Sequence, residues 1–187
     1  MKKGFTLIEL LIVVGIVAVL SIVTLLLLNP ADLLRQSRDA TRFSDMSAIK
    51  NAVVLYQTGA SSPNLGSATT CYTSNSTTTA QCGSLFNGTY ISWSASTSTA
   101  VNSSGWLPID FTALSSGSPI SQLPLDPVND ATHYYAYAAN PTTGVFEIDA
   151  NMESAKYVSG GGKDAESTDG GNNANWYETG TAPGLAL

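Results

Sequence analysis

A lone carboxylate stands where the chain tolerates almost no charge. Glu9 is the only ionisable side chain in residues 5–28, a stretch otherwise apolar apart from Thr6, Ser21 and Thr24. Wound as a helix, that stretch spans about 36 Å, more than the ~30 Å hydrocarbon core of a bilayer. A carboxylate inside such a segment costs about 2.5–3.5 kcal/mol on insertion scales. Glu9 therefore needs a cation close by, or must snorkel to the headgroups of a plain membrane anchor. The other candidate for proton chemistry is His133, the single histidine, flanked by aromatic and polar residues in a strand-like run. With no second histidine, phosphate-binding glycine loop or nucleophile elbow, it reads as a strand surface residue. No enzyme is expected.

The residues in front of Glu9 carry a resemblance. Lys2-Lys3-Gly4 followed by Phe5-Thr6-Leu7-Ile8-Glu9 resembles the prepilin leader of type IV pilins and of the pseudopilins of type II secretion. The resemblance implies cleavage after Gly4 by a dedicated prepilin peptidase on the cytoplasmic side, and N-methylation of the new N-terminus, Phe5. It places the family's conserved glutamate on Glu9 and extends through the following polar helix to about Gln57. Cleavage creates an α-amine at Phe5, and a helix N-terminus already carries partial positive charge. The subunit's own amine lies about one turn from Glu9. The resemblance implies instead that a neighbouring subunit's amine meets Glu9 and sets the register of a filament.

An ordinary secretory signal has an apolar core of roughly 7–15 residues before its cleavage site. This run is longer and holds a carboxylate, so removal of the whole segment is not expected. Lysines precede it, but Arg35, Arg38 and Arg42 follow it among Asp32 and Asp39, so charge alone does not orient it. A cytoplasmic N-terminus at the inner membrane is inferred from the leader. The chain of 187 residues leaves room for one modest globular domain, and its net charge is −6. Loss of Lys2 and Lys3 makes it more acidic. That balance argues against a nucleic-acid surface.

The elements that hold Glu9 come next. Residues 1–4 read as leader and 5–28 as the transmembrane helix that would form a filament core. Asn29-Pro30 should kink or interrupt it, because proline removes a backbone donor. Residues 29–60 continue as an amphipathic helix, with Leu34, Phe43, Met46, Ile49, Val53 and Tyr56 forming one apolar stripe. Arg35 with Asp39, and Arg42 with Asp45, are spaced to pair along the exposed side.

Residues 61–104 are a Ser/Thr-rich loop, read as solvated; O-glycan attachment is the other reading. Cys71 and Cys82 lie within it, at a spacing that suits neither a zinc site nor a redox pair. In an exported domain they suggest a disulfide closing a short loop, with about 3 kcal/mol of stabilisation in the chain-entropy model; two unpaired thiols are the alternative.

Residues 105–158 are expected to hold an antiparallel sheet. Residues 146–153 alternate apolar and polar as a half-buried strand, residues 132–138 precede them, and Asn140-Pro141-Thr142-Thr143-Gly144 supplies a turn. Residues 106–111 and 90–93 are weaker strand candidates. The fold class is α+β and pilin-like: one long helix packed on a small antiparallel sheet. Leu123-Pro124-Leu125-Asp126-Pro127 is similar to the loop that enters the C-terminal sheet in major pseudopilins and some Gram-positive-like pilins. Val128-Asn129, however, stands where a Trp-Gly pair is common in the secretion family. Residues 159–187 form a Gly-rich acidic tail, read as disordered. Because major pseudopilins bind calcium in a C-terminal loop, the resemblance makes Asp164, Glu166 and Asp169 conceivable calcium ligands, although their spacing is not that of a helix-loop-helix calcium loop. No other cofactor is expected.

Two function classes follow. One is a structural subunit of a type IV pilus-like filament, or the pseudopilus of type II secretion. Its partners would be identical or related subunits, the prepilin peptidase, the inner-membrane assembly platform and lipid before assembly. The other is a single-pass anchored binding protein.

Overall fold

The computed structural model describes residues 4–76, 85–86, 90 and 92–181, with the side chains of 25–28 set aside. Two helices and five strands make an α+β, pilin-like architecture. Helix α1, Leu7–Leu28, starts at Thr6, whose extended backbone and hydroxyl cap the first turn. It stops at Asn29, which adopts a left-handed conformation (φ 39°, ψ 76°). Asparagine tolerates that region better than most residues. Helix α2, Pro30–Gly59, then opens with proline at its first position, where the missing N–H would have had no partner. The interruption expected at Asn29-Pro30 is therefore a change of helix.

Helix α2 buries Met46, Ile49, Ala52, Val53 and Tyr56 against the sheet. Full burial of each larger apolar side chain contributes about 1.5–3 kcal/mol. Leu34, placed on the same stripe by its spacing, is 64% exposed. The polar side departs further from expectation. Asp39 and Arg42 are wholly buried, because the chain after residue 150 and the loop at 123–129 close over that part of α2.

The sheet order is β2-β1-β3-β4-β5. Strands β3 (Tyr135–Asn140) and β4 (Val145–Ala150) form the expected antiparallel hairpin. Its turn closes through the Gly144 N–H donating to the Asn140 carbonyl at 2.9 Å, with Gly144 at φ 75°, a conformation open to glycine at no steric cost. Strand β1 (Thr70–Thr73) pairs antiparallel with β3 and parallel with β2 (Ser92–Ala95), so the far edge is not a meander. Residues 106–111 are not a strand. They bury Trp106, Leu107, Ile109 and Phe111 but make only an isolated bridge, Asn102 to Asp110, before a 3-10 turn at Phe111–Ala113. Pro108 removes a ladder donor in the middle of that run.

Nor is the described part of the acidic tail disordered. Strand β5 (Tyr177–Gly180) pairs antiparallel with β4 and covers what would otherwise be an exposed edge. The sheet thus draws strands from outside residues 105–158. Both of its faces are covered. Tyr135, Tyr137, Ala139, Phe146, Ile148 and Ala150 join the core under α2. Cys71, Leu85, Phe86, Tyr134, Ala136 and Ala138 form a second, smaller core on the opposite face.

Candidate functional site

The N-terminal segment places its chemistry in plain view. Residues 4–6 are non-helical, Phe5 is 82% exposed, and nothing lies within 4 Å of where a Gly4 side chain would begin. The Gly4–Phe5 peptide is thus a non-helical, exposed bond just ahead of the helix. Thr6 and Glu9 form a reciprocal cap. The Glu9 carboxylate accepts from the Thr6 backbone N–H at 2.9 Å and from its hydroxyl at 2.6 Å, while the Glu9 N–H donates to Thr6 Oγ1 at 3.4 Å. Beyond it, the large apolar side chains of α1 from Leu7 to Val23 are about half exposed or more. Such an unsheltered apolar helix, long enough to cross a bilayer, points to membrane anchoring.

Residues 1–25 match the family model for the prokaryotic N-terminal methylation motif. The chain carries the type IV pilin and pseudopilin signature. Comparison with curated proteins and with solved structures returns no match. The pilin-type motif therefore covers the leader and most of α1, and the domain behind it is read from its own geometry. Lys2 and Lys3 of the leader lie outside the described residues. In a family of this motif the proteins are structural rather than enzymatic.

Behind the pilin-type helix, Arg42 holds the domain to α2. Its Nε and Nη2 donate to the two Asp126 oxygens at 2.6 and 2.9 Å, and its Nη1 donates to Asp39 at 2.8 Å and Glu153 at 2.9 Å. Arg38 donates to both Glu153 oxygens, at 2.5 Å to Oε2, which it shares with Arg42, and at 3.1 Å to Oε1. Burial opposes the Arg42 charge, but the Asp126, Glu153 and Asp39 oxygens outweigh it and raise its pKa. Burial likewise opposes the Glu153 charge, and the two guanidiniums overcome it and hold that carboxyl below its ordinary value. This cluster is structural: every charge in it faces a partner.

Of the residues the sequence marked as ligands or bridges, Cys71 is fully buried on β1, and Cys82 lies outside the described residues. Asp164, Glu166 and Asp169 use their oxygens on loop amides. Asp164 accepts from the Gly160 and Ser167 N–H groups, Glu166 from Met152 and Ser159, and Asp169 from Gly171 and Glu178. They act as the struts that order residues 159–178. His133 is held by Asp130, 3.4 Å away, at the start of the hairpin.

The carboxylates brought together are others. Glu147 and Asp149 on β4 and Glu178 on β5 place one oxygen each within 4.8 Å of one another. All three are buried, at 0%, 0% and 2% exposure. Burial, reinforced by Glu147 and Glu178, pushes Asp149 well above the usual carboxylate range, and burial with Glu147 and Asp169 pushes Glu178 up to about 8. The strict alternation of residues 146–153 implies that Glu147 and Asp149 face solvent. The alternation was right about the faces and silent about what lies over them. Three acids on adjacent strands were legible only once β5 was known to pair with β4.

Proposed function

We propose that this chain is a prepilin: a structural subunit of a type IV pilus-like filament, cleaved after Gly4, N-methylated at Phe5, and assembled through α1. The observation that carries the reading is the methylation motif set on a helix whose apolar side chains from Leu7 to Val23 stay exposed among the described residues. Peptidase cleavage needs an accessible bond outside the helix, and the Gly4–Phe5 peptide lies ahead of α1 and is exposed. Hydrolysis leaves a carboxylate on Gly4 and an amine on Phe5. In the precursor, Glu9 accepts from the Thr6 N–H and hydroxyl. In the filament it pairs with the Phe5 amine of the adjoining subunit, which neutralises a charge in lipid and fixes the axial register.

The subunit enters the inner membrane with its N-terminus cytoplasmic and its β-domain outside. There an oxidising environment supports a Cys71–Cys82 bridge, in keeping with the absence of free cysteines among the described residues. The alternative is a pseudopilin of type II secretion: the Leu123-Pro124-Leu125-Asp126-Pro127 segment resembles the loop that enters the C-terminal sheet in major pseudopilins, although Val128-Asn129 departs from the secretion family's pattern. The segment supports a shared domain plan, since its Asp126 anchors α2.

Intact mass and N-terminal fragmentation of the protein from membranes test the reading. The expected species begins at Phe5 and carries one extra methylene mass on its amine. A mature chain that keeps Met1 would leave an anchored binding protein as the function.

A further inference from the structure

Asp149 on β4 and Glu178 on β5 stand directly opposite each other in the antiparallel register, where two like charges repel. Both are buried, at 0% and 2% exposure. Neither Asp149 oxygen meets a donor among the described residues. Glu178 accepts the Asn173 N–H at Oε1, 3.1 Å away, while its Oε2 meets no donor. The backbone at Gly171 lies against the same carboxyl, since a Cβ there would fall 1.2 Å from Oε2.

The surroundings bring no positive charge. On β4 the next side chain of this face is Glu147, another buried acid. Strand β3 sets Ala136 opposite Asp149, with Tyr134 on the same face. Tyr90 packs there too, and burial together with Glu147 and Asp149 pushes its hydroxyl up, so it stays neutral. The loop before β5 adds Asp169, which accepts the Glu178 N–H at 2.6 Å. No Lys, Arg or His among the described residues forms an ion pair with Asp149 or Glu178. A buried carboxylate in such a setting keeps its proton rather than its charge. The protonated group also brings the O–H donor that the pair lacks.

We propose that the Asp149–Glu178 pair takes up protons as the domain folds, which makes the β4–β5 edge a latch closed by protons and loosened by base.

Each acid is protonated in the folded chain at a pH where the unfolded chain has released its proton. Stability is therefore greatest near the ordinary carboxylate range and falls as pH rises, as far as about pH 8 for Glu178. Within that window each proton so held shifts the folding equilibrium about tenfold per pH unit. Release acts on one place. Strand β5 is the edge of the sheet and joins it by pairing with β4, so ionising the pair loosens β5 before the β3–β4 hairpin. This device is separate from assembly through α1.

The test uses the full chain in detergent micelles, melted at a series of pH values from 5 to 9. Burial raises Asp45, Glu166 and Asp169 as well, so the pair is read from variants and not from the wild-type slope alone. The wild-type thermal midpoint should fall by several degrees across the series. Asp149→Asn and Glu178→Gln should each flatten that fall and melt above wild type at pH 9, while Asp164→Asn should run parallel to wild type. Amides of residues 177–180, corrected for intrinsic exchange, should open at least about tenfold faster at pH 9 than at pH 6, with those of β3 changing less. Infrared spectra of the wild type at pH 7 should show a protonated-carboxyl carbonyl band that either variant weakens. Should Asp149→Asn fail to fold by circular dichroism, Glu178→Gln and the wild-type infrared band read the same pair. A midpoint that stays level from pH 5 to 9, variants that keep the full wild-type slope, or a missing carboxyl band at pH 7 would each overturn the proposal.

Discussion

Arg42 on α2 grips Asp126 with two hydrogen bonds, 2.6 and 2.9 Å long, between groups with no solvent exposure and 84 positions apart in sequence. Asp126 also accepts from the Val128 and Asn129 N–H groups, so the same carboxylate shapes the loop that precedes the hairpin. One contact thus joins the helix to the segment that leads into the sheet.

Removing the cation should do more harm than its own bonds suggest. Arg42→Met leaves Asp39 and Asp126 buried without it and Glu153 with Arg38 alone. We expect a loss of about 3–5 kcal/mol, the range for breaking a buried pair, read as a lower urea midpoint with an unchanged denaturant slope. A shift below about 1 kcal/mol would place the pair among ordinary surface bridges.

Glu153 gives this cluster a pH dependence of known sign. Its folded pKa lies below its ordinary value of 4.5, because Arg38 and Arg42 outweigh burial. The stability it contributes is therefore present above about pH 4.5 and lost as pH falls through the lower folded pKa. Glu153→Gln should be less stable than wild type at pH 7, and the gap should close as pH falls well below 4.5. A constant gap in thermal midpoint across that range would contradict the assignment. The Arg38 side of the pair is 35% exposed, so added salt should narrow the gap in part.

Glu9→Val tests the register. The substitution deletes the only ionisable side chain in residues 5–28 and makes insertion more favourable by about 2.5–3.5 kcal/mol. Membrane fractions should hold normal amounts of the variant, whereas filaments seen by electron microscopy should be lost. Filaments in normal number would detach Glu9 from assembly.

The proposed Cys71–Cys82 bridge should be worth about 3 kcal/mol. Cys71→Ser should lower the thermal midpoint, and a reductant should bring wild type down to meet it. No response of wild type to reductant would exclude the bridge.

At Gly180 a side chain has no room. An added methyl would lie 2.0 Å from the Phe146 carbonyl oxygen, on the strand that β5 must approach. Gly180→Ala should loosen β5 from β4, and hydrogen exchange of the amides at 177–180 should accelerate well before those of β3 do.

What the chain wrote locally could be read locally. The leader, the lone Glu9 in its apolar run, the stop at Asn29-Pro30 and the turn at residues 140–144 rest on neighbours within a few positions, where residue type and spacing carry the physics. The tertiary structure decided the rest. Asp39 and Arg42 read as an exposed face of α2 until residues 123–129 and 153–154 closed over them. Residues 177–180 had no strong pattern, yet pairing with β4 made them a strand and brought Glu178 to Asp149. Alternation along a strand states which side chains share a face. Only long-range packing decides whether that face meets water or another layer of the protein.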